Sequence, residues 1–378
     1  MGLFNRFGDV TVRNEVRQEK SDLEKVIDIE EEIIKKYERN ERFKPYQPRH
    51  DKSYQILRVA TQEKIKDITI TPKILQEYID ARENKEDDPI AVIRGMYSSA
   101  LLELICIKNQ NTNTIIDGKN KTFNYLFYHI HNVKNLTLQN IQGNCILADA
   151  GCNKGTIAYL TLSNIKGNGL LSYLANHDGN AKNIILTNII GDHTLFFAGA
   201  NYGKITYLTL SNIIGTATLS CAGNRRGIIK NITLQDITGD NTLQNAVRFE
   251  GNAKNIILSN VKGERILDGA AYYNGNIKQV AFNYIINETS AISPHLGGTM
   301  KSIFKENKIK TWQKEKISEI NTIASLIHTL PLSEQKAAHE RIAQLQKEIF
   351  RNRFQNRLFT IFEKTKKIFQ RKNKKGET

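Results

Sequence analysis

The chain reads LTLQNIQG from Leu136 and returns to nearly the same octamer every 24 residues. The later copies are LTLSNIKG from Leu160, IILTNIIG from Ile184, LTLSNIIG from Leu208, ITLQDITG from Ile232 and IILSNVKG from Ile256. A degraded copy, VAFNYIIN, starts at Val280. A fixed period of this length is typical of solenoid proteins, in which each repeat packs only on its neighbours.

We number each repeat from the residue that aligns with Leu136, so Leu136 and Leu160 both occupy position 1. Apolar residues at positions 1 and 3 enclose a polar or mixed position, as in a half-buried strand. Position 5 is Asn or Asp, which tolerates the left-handed backbone of a sharp bend. Glycines at positions 8 and 20 mark further bends. We therefore expect each unit to consist of several short strands joined by bends.

These features predict a mainly β solenoid, a parallel β-helix of 24-residue coils with α-helical N-terminal and C-terminal flanks. Stacked coils would lie about 4.8 Å apart, and the position 5 side chains would form a hydrogen-bonded ladder. A leucine-rich repeat is the alternative, but there the Asn stands three residues after the last Leu. Here Asn140 stands two residues after Leu138.

Charge and hydrophobic patterns divide the chain into four parts. Residues 1–53 are an N-terminal helix and linker, 54–104 a helical cap, 105–300 the β-helix and 301–378 a basic helical segment. The cap is expected because the open end of a solenoid is an exposed sheet edge. The last segment carries 19 basic and 8 acidic residues, most of the excess behind the formal net charge of +15.

Helices are predicted in both flanks from apolar residues at three- and four-residue spacing. The first runs from Ser21 to Lys44, and two shorter ones from Thr71 to Arg82 and from Asp88 to Leu104. Thr71 is followed by proline, a combination typical of an N-cap and the first helical residue. In the C-terminal segment we expect one helix from Ile303 to Leu330 and a second from Ser333 to about Arg371.

Two runs of the repeat carry a resemblance to a known family. KNITLQDITG (Lys230–Gly239) and KNIILSNVKG (Lys254–Gly263) resemble coils of the right-handed parallel β-helix proteins, the pectin-lyase-like superfamily. The likeness covers about Asn135–Asn287 and concerns the scaffold alone. Many members of that superfamily are polysaccharide lyases or hydrolases, and others are adhesins, tailspikes or intracellular scaffolds. The GHG and RIK motifs of polygalacturonase-type members are not present in this sequence.

Sequence variation concentrates at positions 17–19, which we expect along one edge of the rod. In solenoids such a row is where ligands usually bind, and these residue types favour a protein or a glycan as the partner. The candidate binding residues are Asn176, His177, Asp178, Tyr202, Arg225, Arg226, Arg248, Phe249, Tyr272 and Tyr273.

Catalytic and metal chemistry have few candidates. Asp192 and Asp240 would lie two coils apart, roughly 10 Å, near the separation of about 6.5–9.5 Å in inverting glycosidases. They are the candidate residues if the protein is a carbohydrate-active enzyme. His129 and His131 share a strand face, yet no Cys or carboxylate accompanies them, so we expect no metal site. No nucleotide or cofactor motif occurs, and no cofactor is expected.

The predicted last helix has an apolar face and a basic face. Its basic residues are Lys347, Arg351, Arg353, Arg357, Lys364, Lys366, Lys367 and Arg371. Three interpretations stay open: contact with nucleic-acid phosphates, contact with an anionic membrane surface, or a cap on the end of the rod with the charges in solvent.

The remaining features set the expected context. No apolar run reaches the roughly 18 residues of a membrane span, and the N-terminal residues form no secretory signal. Four cysteines without a CxxC pair indicate reduced thiols. We expect a cytoplasmic, non-catalytic binding or scaffold protein, with homo-oligomers possible through the helix at Ser21–Lys44.

Overall fold

The 24-residue repeat folds into a parallel β-solenoid in the computed structural model of the chain. The structure describes residues 20–40, 43, 50–82, 90–108, 113–286, 299–300, 303–304, 311–327, 330 and 334–349. Within these residues, helices both precede and follow the solenoid. The predicted fold class is therefore confirmed.

Consecutive coils each add one strand to a single parallel sheet. The strands are β1 (Thr114–Asp117), β2 (Asn132–Gln142), β3 (Thr156–Lys166), β4 (Asn180–Ile190), β5 (Lys204–Ile214), β6 (Ile228–Thr238), β7 (Asn252–Lys262), β8 (Asn276–Ile286), β9 (Thr299–Met300) and β10 (Ile303–Phe304). Leu136 pairs with Leu160, and Leu160 with Ile184, so neighbouring strands are in register by one repeat. The short β9 and β10 both pair with β8.

The core lies inside the coils, between the strands and the rest of each repeat. Positions 1, 3 and 6 point inward, and Leu136, Leu138 and Ile141 are at most 2% exposed. The same positions of the following coils are buried as well, as far as Ile256, Leu258 and Val261 of β7. Each buried Leu or Ile contributes about 1.5–3 kcal/mol, so the stack of apolar columns is the main source of stability.

Each strand bends at position 5, as the sequence predicts. Asn188 has a φ of 55° and Asp236 a φ of 51°, both in the left-handed region. The Asn188 side-chain amide donates to Oδ1 of Asn164 at 2.9 Å, and that of Asn212 donates to Asn188 at 2.8 Å. The predicted bend and the predicted amide ladder are confirmed.

The expectation of several short strands per coil is wrong for the rest of the repeat. Each coil from β2 onward to β7 has one 11-residue strand, followed by a turn half, positions 9–19, in which alternate residues have positive φ. Leu171, Tyr173 and Ala175 have φ values of 54°, 60° and 53°. Their N–H groups point alternately along the rod: Leu171 donates to Ile146 O of the previous coil and Tyr173 to Phe196 O of the next.

Hydrogen bonds between coils offset the strain of this conformation. A non-glycine residue in the left-handed region costs roughly 1–2 kcal/mol, whereas a buried N–H left without an acceptor costs about as much or more. At the glycine of position 8 even a Cβ is excluded: at Gly191 it would lie 1.9 Å from Gly167 O.

Four helices precede the rod in the described residues. They are α1 (Asp22–Tyr37), α2 (His50–Ile65), α3 (Pro72–Ala81) and α4 (Ala91–Lys108). Ser21 and Thr71 are N-caps, as predicted for the second. The prediction missed α2, because its first residues follow two prolines and the polar segment reads as a linker.

Helix α4 lies against the first coil and covers the end of the rod. Its glycine allows close approach, since a Cβ on Gly95 would lie 2.1 Å from Tyr125 O. Ser99 Oγ donates to Tyr128 O at 2.8 Å. The buried Glu103 carboxylate accepts the N–H of His131 at 2.7 Å and pairs with Arg58 at 2.7 Å. These contacts satisfy backbone groups that the first coil would otherwise expose.

The helix predicted from Ile303 to Leu330 is wrong at its start. Ile303 and Phe304 form β10 and pair with Val280 and Ala281, because the edge of β8 offers free backbone groups to an apolar, β-prone segment. The helix of this region is α5 (Thr311–Leu326). It is followed by α6, helical over residues 334–349.

Helices α5 and α6 lie along the side of the sheet, not over the end of the rod. The contacts of α6 follow position 2 of successive coils: Thr137 donates to Gln335 at 2.6 Å, and Gln346 donates to Thr233 at 2.9 Å. Apolar residues of both helices share a buried cluster with Ile185 and Ile257 of the rod. The interpretation of this segment as an end cap is therefore wrong for the described part of α6.

Candidate binding site

The turn halves of successive coils form one long face of the rod. Positions 11, 12, 15 and 16 point into the core, as shown by the buried Leu170, Leu171, Leu174 and Ala175. Positions 10, 13, 14, 17 and 18 therefore point outward. We call the surface made by these five outward positions the turn face.

The turn face of the first coils contains a groove with a volume of about 820 Å³. Several aromatic rings line it. Tyr125 and Tyr128 meet edge to face with centroids 5.4 Å apart, and Tyr173 and Phe196 do so at 6.3 Å. Tyr173 stacks on Phe197 at 5.6 Å and is 38% exposed, so part of its side chain is accessible to a ligand.

Polar side chains stand between these rings. The groove is lined by the amides of Asn144, Asn168 and Asn176, the hydroxyl of Ser172 and the carboxylate of Asp149. A ligand in the groove would therefore meet ring faces together with hydrogen-bond donors and acceptors, the composition of small-molecule sites.

The Cys145 thiol of the groove is not activated. Burial, and after it the nearby Asp149 carboxylate, raises the pKa of Cys145 to about 11. Cys152 Sγ donates to Tyr173 O at 2.9 Å. Because a thiolate is the nucleophilic form, the protonated Cys145 is suited to packing rather than to covalent catalysis.

The predicted row at positions 17–19 is divided between this groove and a second region. Asn176 and His177 line the groove, where Asn176 is buried and accepts a hydrogen bond from Asn201 at 2.9 Å. Asp178 is exposed just outside it. Four outward residues of the groove that the prediction missed, Tyr125, Tyr128, Tyr173 and Phe196, belong to positions other than 17–19 or to the irregular first coil.

The later coils bring the other predicted residues together as stacked cations and rings. The Arg248 guanidinium lies 4.6 Å from the ring centre of Phe249 and 5.1 Å from those of Tyr272 and Tyr273. Phe249 and Tyr273 stack at 4.8 Å. These contacts hold Arg248 in one orientation on the rod surface.

A neighbouring chain of polar contacts runs along position 19. Arg226 donates to Glu250 at 2.7 Å and to the hydroxyl of Tyr202 at 3.1 Å. Arg225 is exposed beside them, and its N–H donates to the Asn224 side chain at 2.8 Å. Most charges of this region are thus engaged within the protein.

The two candidate catalytic carboxylates have structural partners. Asp192 Oδ1 accepts the N–H of Thr216 at 2.7 Å, and Asp240 Oδ1 accepts that of Glu264 at 2.7 Å. Asn168 makes the same contact to the N–H of Asp192. Position 9 therefore carries a second set of contacts along the rod, in which the side chains of Asn144, Asn168, Asp192 and Asp240 each accept a backbone N–H of the next coil.

His129 and His131 lie where the helical cap meets the first coil. Their rings stack at 6.1 Å, and His131 stacks on Tyr54 of α2 at 5.4 Å. Within the residues that the structure describes, no group of three or more His, Cys, Asp or Glu side chains could hold a metal ion.

Only Lys347 of the predicted basic face lies in the described part of α6, where it is exposed and its ammonium is 5.5 Å from the ring centre of Tyr207. The other predicted basic residues, Arg351, Arg353, Arg357, Lys364, Lys366, Lys367 and Arg371, lie outside the described residues. In the part of the chain that is described, no helix is both long and apolar enough to cross a membrane.

Comparison with known proteins gives no relative. No family model matches the chain, and neither the curated proteins nor the solved structures give a match. The likeness to the pectin-lyase-like superfamily stays a resemblance of the repeat, and the function must be argued from the site itself.

Proposed function

We propose that the protein is a non-catalytic binding module that holds an uncharged oligosaccharide in the groove of the turn face. The observation that supports this most directly is the exposed ring of Tyr173 in a groove that is also lined by amide and carboxylate groups such as Asn168 and Asp149. A sugar ring presents C–H groups on its faces and hydroxyls on its edges. It can therefore pack on aromatic faces while its hydroxyls bond to the polar groups.

A peptide partner is less favoured because little backbone is free on this face. Extended peptides usually add a strand to an open sheet edge. Here the N–H groups of the turn halves donate between coils, for example Tyr173 to Phe196 and Phe197 to Ser220. Recognition must therefore depend on side chains, as it does for a sugar.

The test is a binding titration of the full chain with short neutral oligosaccharides of glucose, mannose, xylose or N-acetylglucosamine. We expect Tyr173→Ala to weaken binding about tenfold, since the exposed ring is lost without a change of backbone. Tyr202→Ala is the matched control: Tyr202 is also exposed and has a φ of 67°, but it lies outside the groove.

Three outcomes would contradict the proposal. One is an absence of binding to every sugar, and another is an equal effect of the two substitutions. The third is cleavage of a bound glycan that is lost in Asp192→Asn or Asp240→Asn, which would favour the carbohydrate-active enzyme instead.

A further inference from the structure

One strip of the sheet carries lysines and no acidic residues. Positions 21–24 and 1–4 together form the first part of each strand, over residues 132–139, 156–163, 180–187, 204–211, 228–235, 252–259 and 276–283. None of these segments contains Asp or Glu. The same segments contain six lysines, of which Lys134 lies beside Cys106 of the cap.

The other five lysines form an exposed line along the rod, which we call the lysine strip. Its members are Lys182, Lys204, Lys230, Lys254 and Lys278. The strand register places four of them at the same position of their coils, and Lys204 stands two residues earlier in its own coil. With about 4.8 Å between neighbouring strands, Lys182 and Lys278 are roughly 19 Å apart along the sheet.

The lysine strip has no counter-charge of its own. None of its five ammonium groups forms an ion pair or a hydrogen bond with another residue that the structure describes. Lys230, Lys254 and Lys278 occupy the same position of consecutive coils, between residues that pair in register, and like charges at such neighbouring positions are destabilising. An external polyanion would relieve this repulsion.

Helix α6 borders the strip and brings two further lysines near it, although its three basic and three acidic residues over 334–349 balance. It covers position 2 of the sheet, so the lysines lie on the half of the face that the helix leaves open. Lys336 shares a small cavity with Asn135 and Tyr159, and Lys347 lies over Tyr207, all at position 24 or on α6 itself. Of the acidic residues on α6, Glu340 accepts a hydrogen bond from Tyr159 at 3.5 Å and Glu348 pairs with Lys316 of α5.

We infer that the lysine strip binds the phosphate backbone of a nucleic acid, without reading its sequence. A lysine ammonium acts as a point charge, which suits phosphates rather than base edges. The charges stand in single file, which matches a linear polyanion better than a membrane plane. The strip also lacks the exposed Trp, Phe or Leu side chains with which interfacial segments enter a lipid headgroup region.

The test compares two triple substitutions with the same change of net charge in the full chain. Lys230→Gln/Lys254→Gln/Lys278→Gln removes adjacent charges of the strip. Lys154→Gln/Lys166→Gln/Lys262→Gln removes three exposed lysines at positions 19 and 7, on other faces. Binding to a labelled single-stranded oligonucleotide is measured by fluorescence anisotropy at several KCl concentrations, and circular dichroism checks the fold of each variant.

We expect the strip variant to lose roughly 10- to 100-fold in affinity at moderate salt. Its slope of log K against log [KCl] should fall by about 2, because single strands give about 0.7 per phosphate contact. The control should keep both values, and both variants retain the basic C-terminal residues. Equal losses in the two variants, or no loss in the strip variant, would overturn the inference.

A parallel measurement separates this inference from the alternatives. If vesicles rich in phosphatidylserine bind through the strip while the oligonucleotide does not, the partner is a membrane and the inference is wrong. Sugar binding by the turn face should be the same in both variants, so failure here leaves the proposed function untouched.

Discussion

At the scale of single residues, the position 5 amides hold the bend of each strand and connect the coils. Asn188 both donates to Asn164 and accepts from Asn212. It also adopts a left-handed φ that alanine disfavours by about 1 kcal/mol or more. We expect Asn188→Ala to lower the free energy of unfolding by about 2–3 kcal/mol, measured by urea denaturation.

Glycine at the same position separates the two causes. Asn188→Gly also loses both ladder bonds, but glycine adopts positive φ without strain. Its loss should therefore be smaller than that of Asn188→Ala by about 1 kcal/mol. Equal losses for the two substitutions would show that backbone conformation contributes nothing at this bend.

Positive φ angles could be predicted from the sequence at some positions of the repeat but not at others. Asn and Asp at position 5 are typical of left-handed bends, and that prediction is confirmed. Leu171 and Leu195 at position 12 have positive φ as well, but leucine carries no such preference. Their conformation depends on hydrogen bonds to the coils above and below, which only the assembled rod provides.

At the scale of secondary-structure elements, the rise of one turn of α6 nearly matches the separation between neighbouring strands of the rod. Gln335, His339 and Gln346 contact successive position 2 residues. Steps of three or four residues in a helix rise about 5.3 Å on average, close to the roughly 4.8 Å between strands. The sequence predicts the helix from its periodicity, but not its place. Threonines at position 2 resemble ordinary solvent-facing strand residues.

His339 makes the docking of α6 sensitive to acid. Its ring is hydrogen-bonded to Thr161 at 2.9 Å, and burial lowers its pKa from 6.5 to about 4. In the window between these values the unfolded chain binds the proton and the folded chain does not. The contribution of His339 to the free energy of unfolding is therefore fully present above about pH 6.5. It falls by about 3 kcal/mol as the pH is lowered toward 4.

His339→Gln isolates this contribution, because an amide can still bond to Thr161 but does not titrate. Urea denaturation of both proteins between pH 7 and pH 4 should give curves that converge or cross as the pH falls. Carboxylates elsewhere titrate in both proteins, so the difference between the curves reports His339 alone. Parallel curves would contradict a neutral, buried imidazole.

At the scale of the whole molecule, the repeat determines the rod, whereas its boundaries and its site depend on tertiary contacts. The 24-residue period predicts coils, register and inward columns directly from Leu136 onward. The groove could not be predicted from positions 17–19 alone. In the turn half, two consecutive side chains point inward and the next two point outward, so positions 13 and 14 lie on the same face as positions 17 and 18. Tyr173 and Phe196 therefore share a face that a strand-like alternation would have divided.

The buried Glu103 carboxylate joins helix α4 to the first coil at the end of the rod. A substitution at Glu103 therefore tests how much this contact contributes to the stability of the whole molecule. Glu103 is 1% exposed, accepts the N–H groups of His131 and Asn132, and pairs with Arg58. Glu103→Ala should destabilise the protein by about 3–5 kcal/mol, because it leaves a cation and two N–H groups without their partner.

The consequence should extend beyond stability. When the cap is loosened, the first coil presents an open sheet edge, and open edges associate with one another. We expect Glu103→Ala to form oligomers in size-exclusion chromatography at concentrations where the native chain keeps its own elution volume. Glu103→Gln retains an acceptor oxygen for His131 and should show a smaller loss of stability without this association. An unchanged elution volume for Glu103→Ala would mean that the apolar contacts of α4 are sufficient to cover the rod.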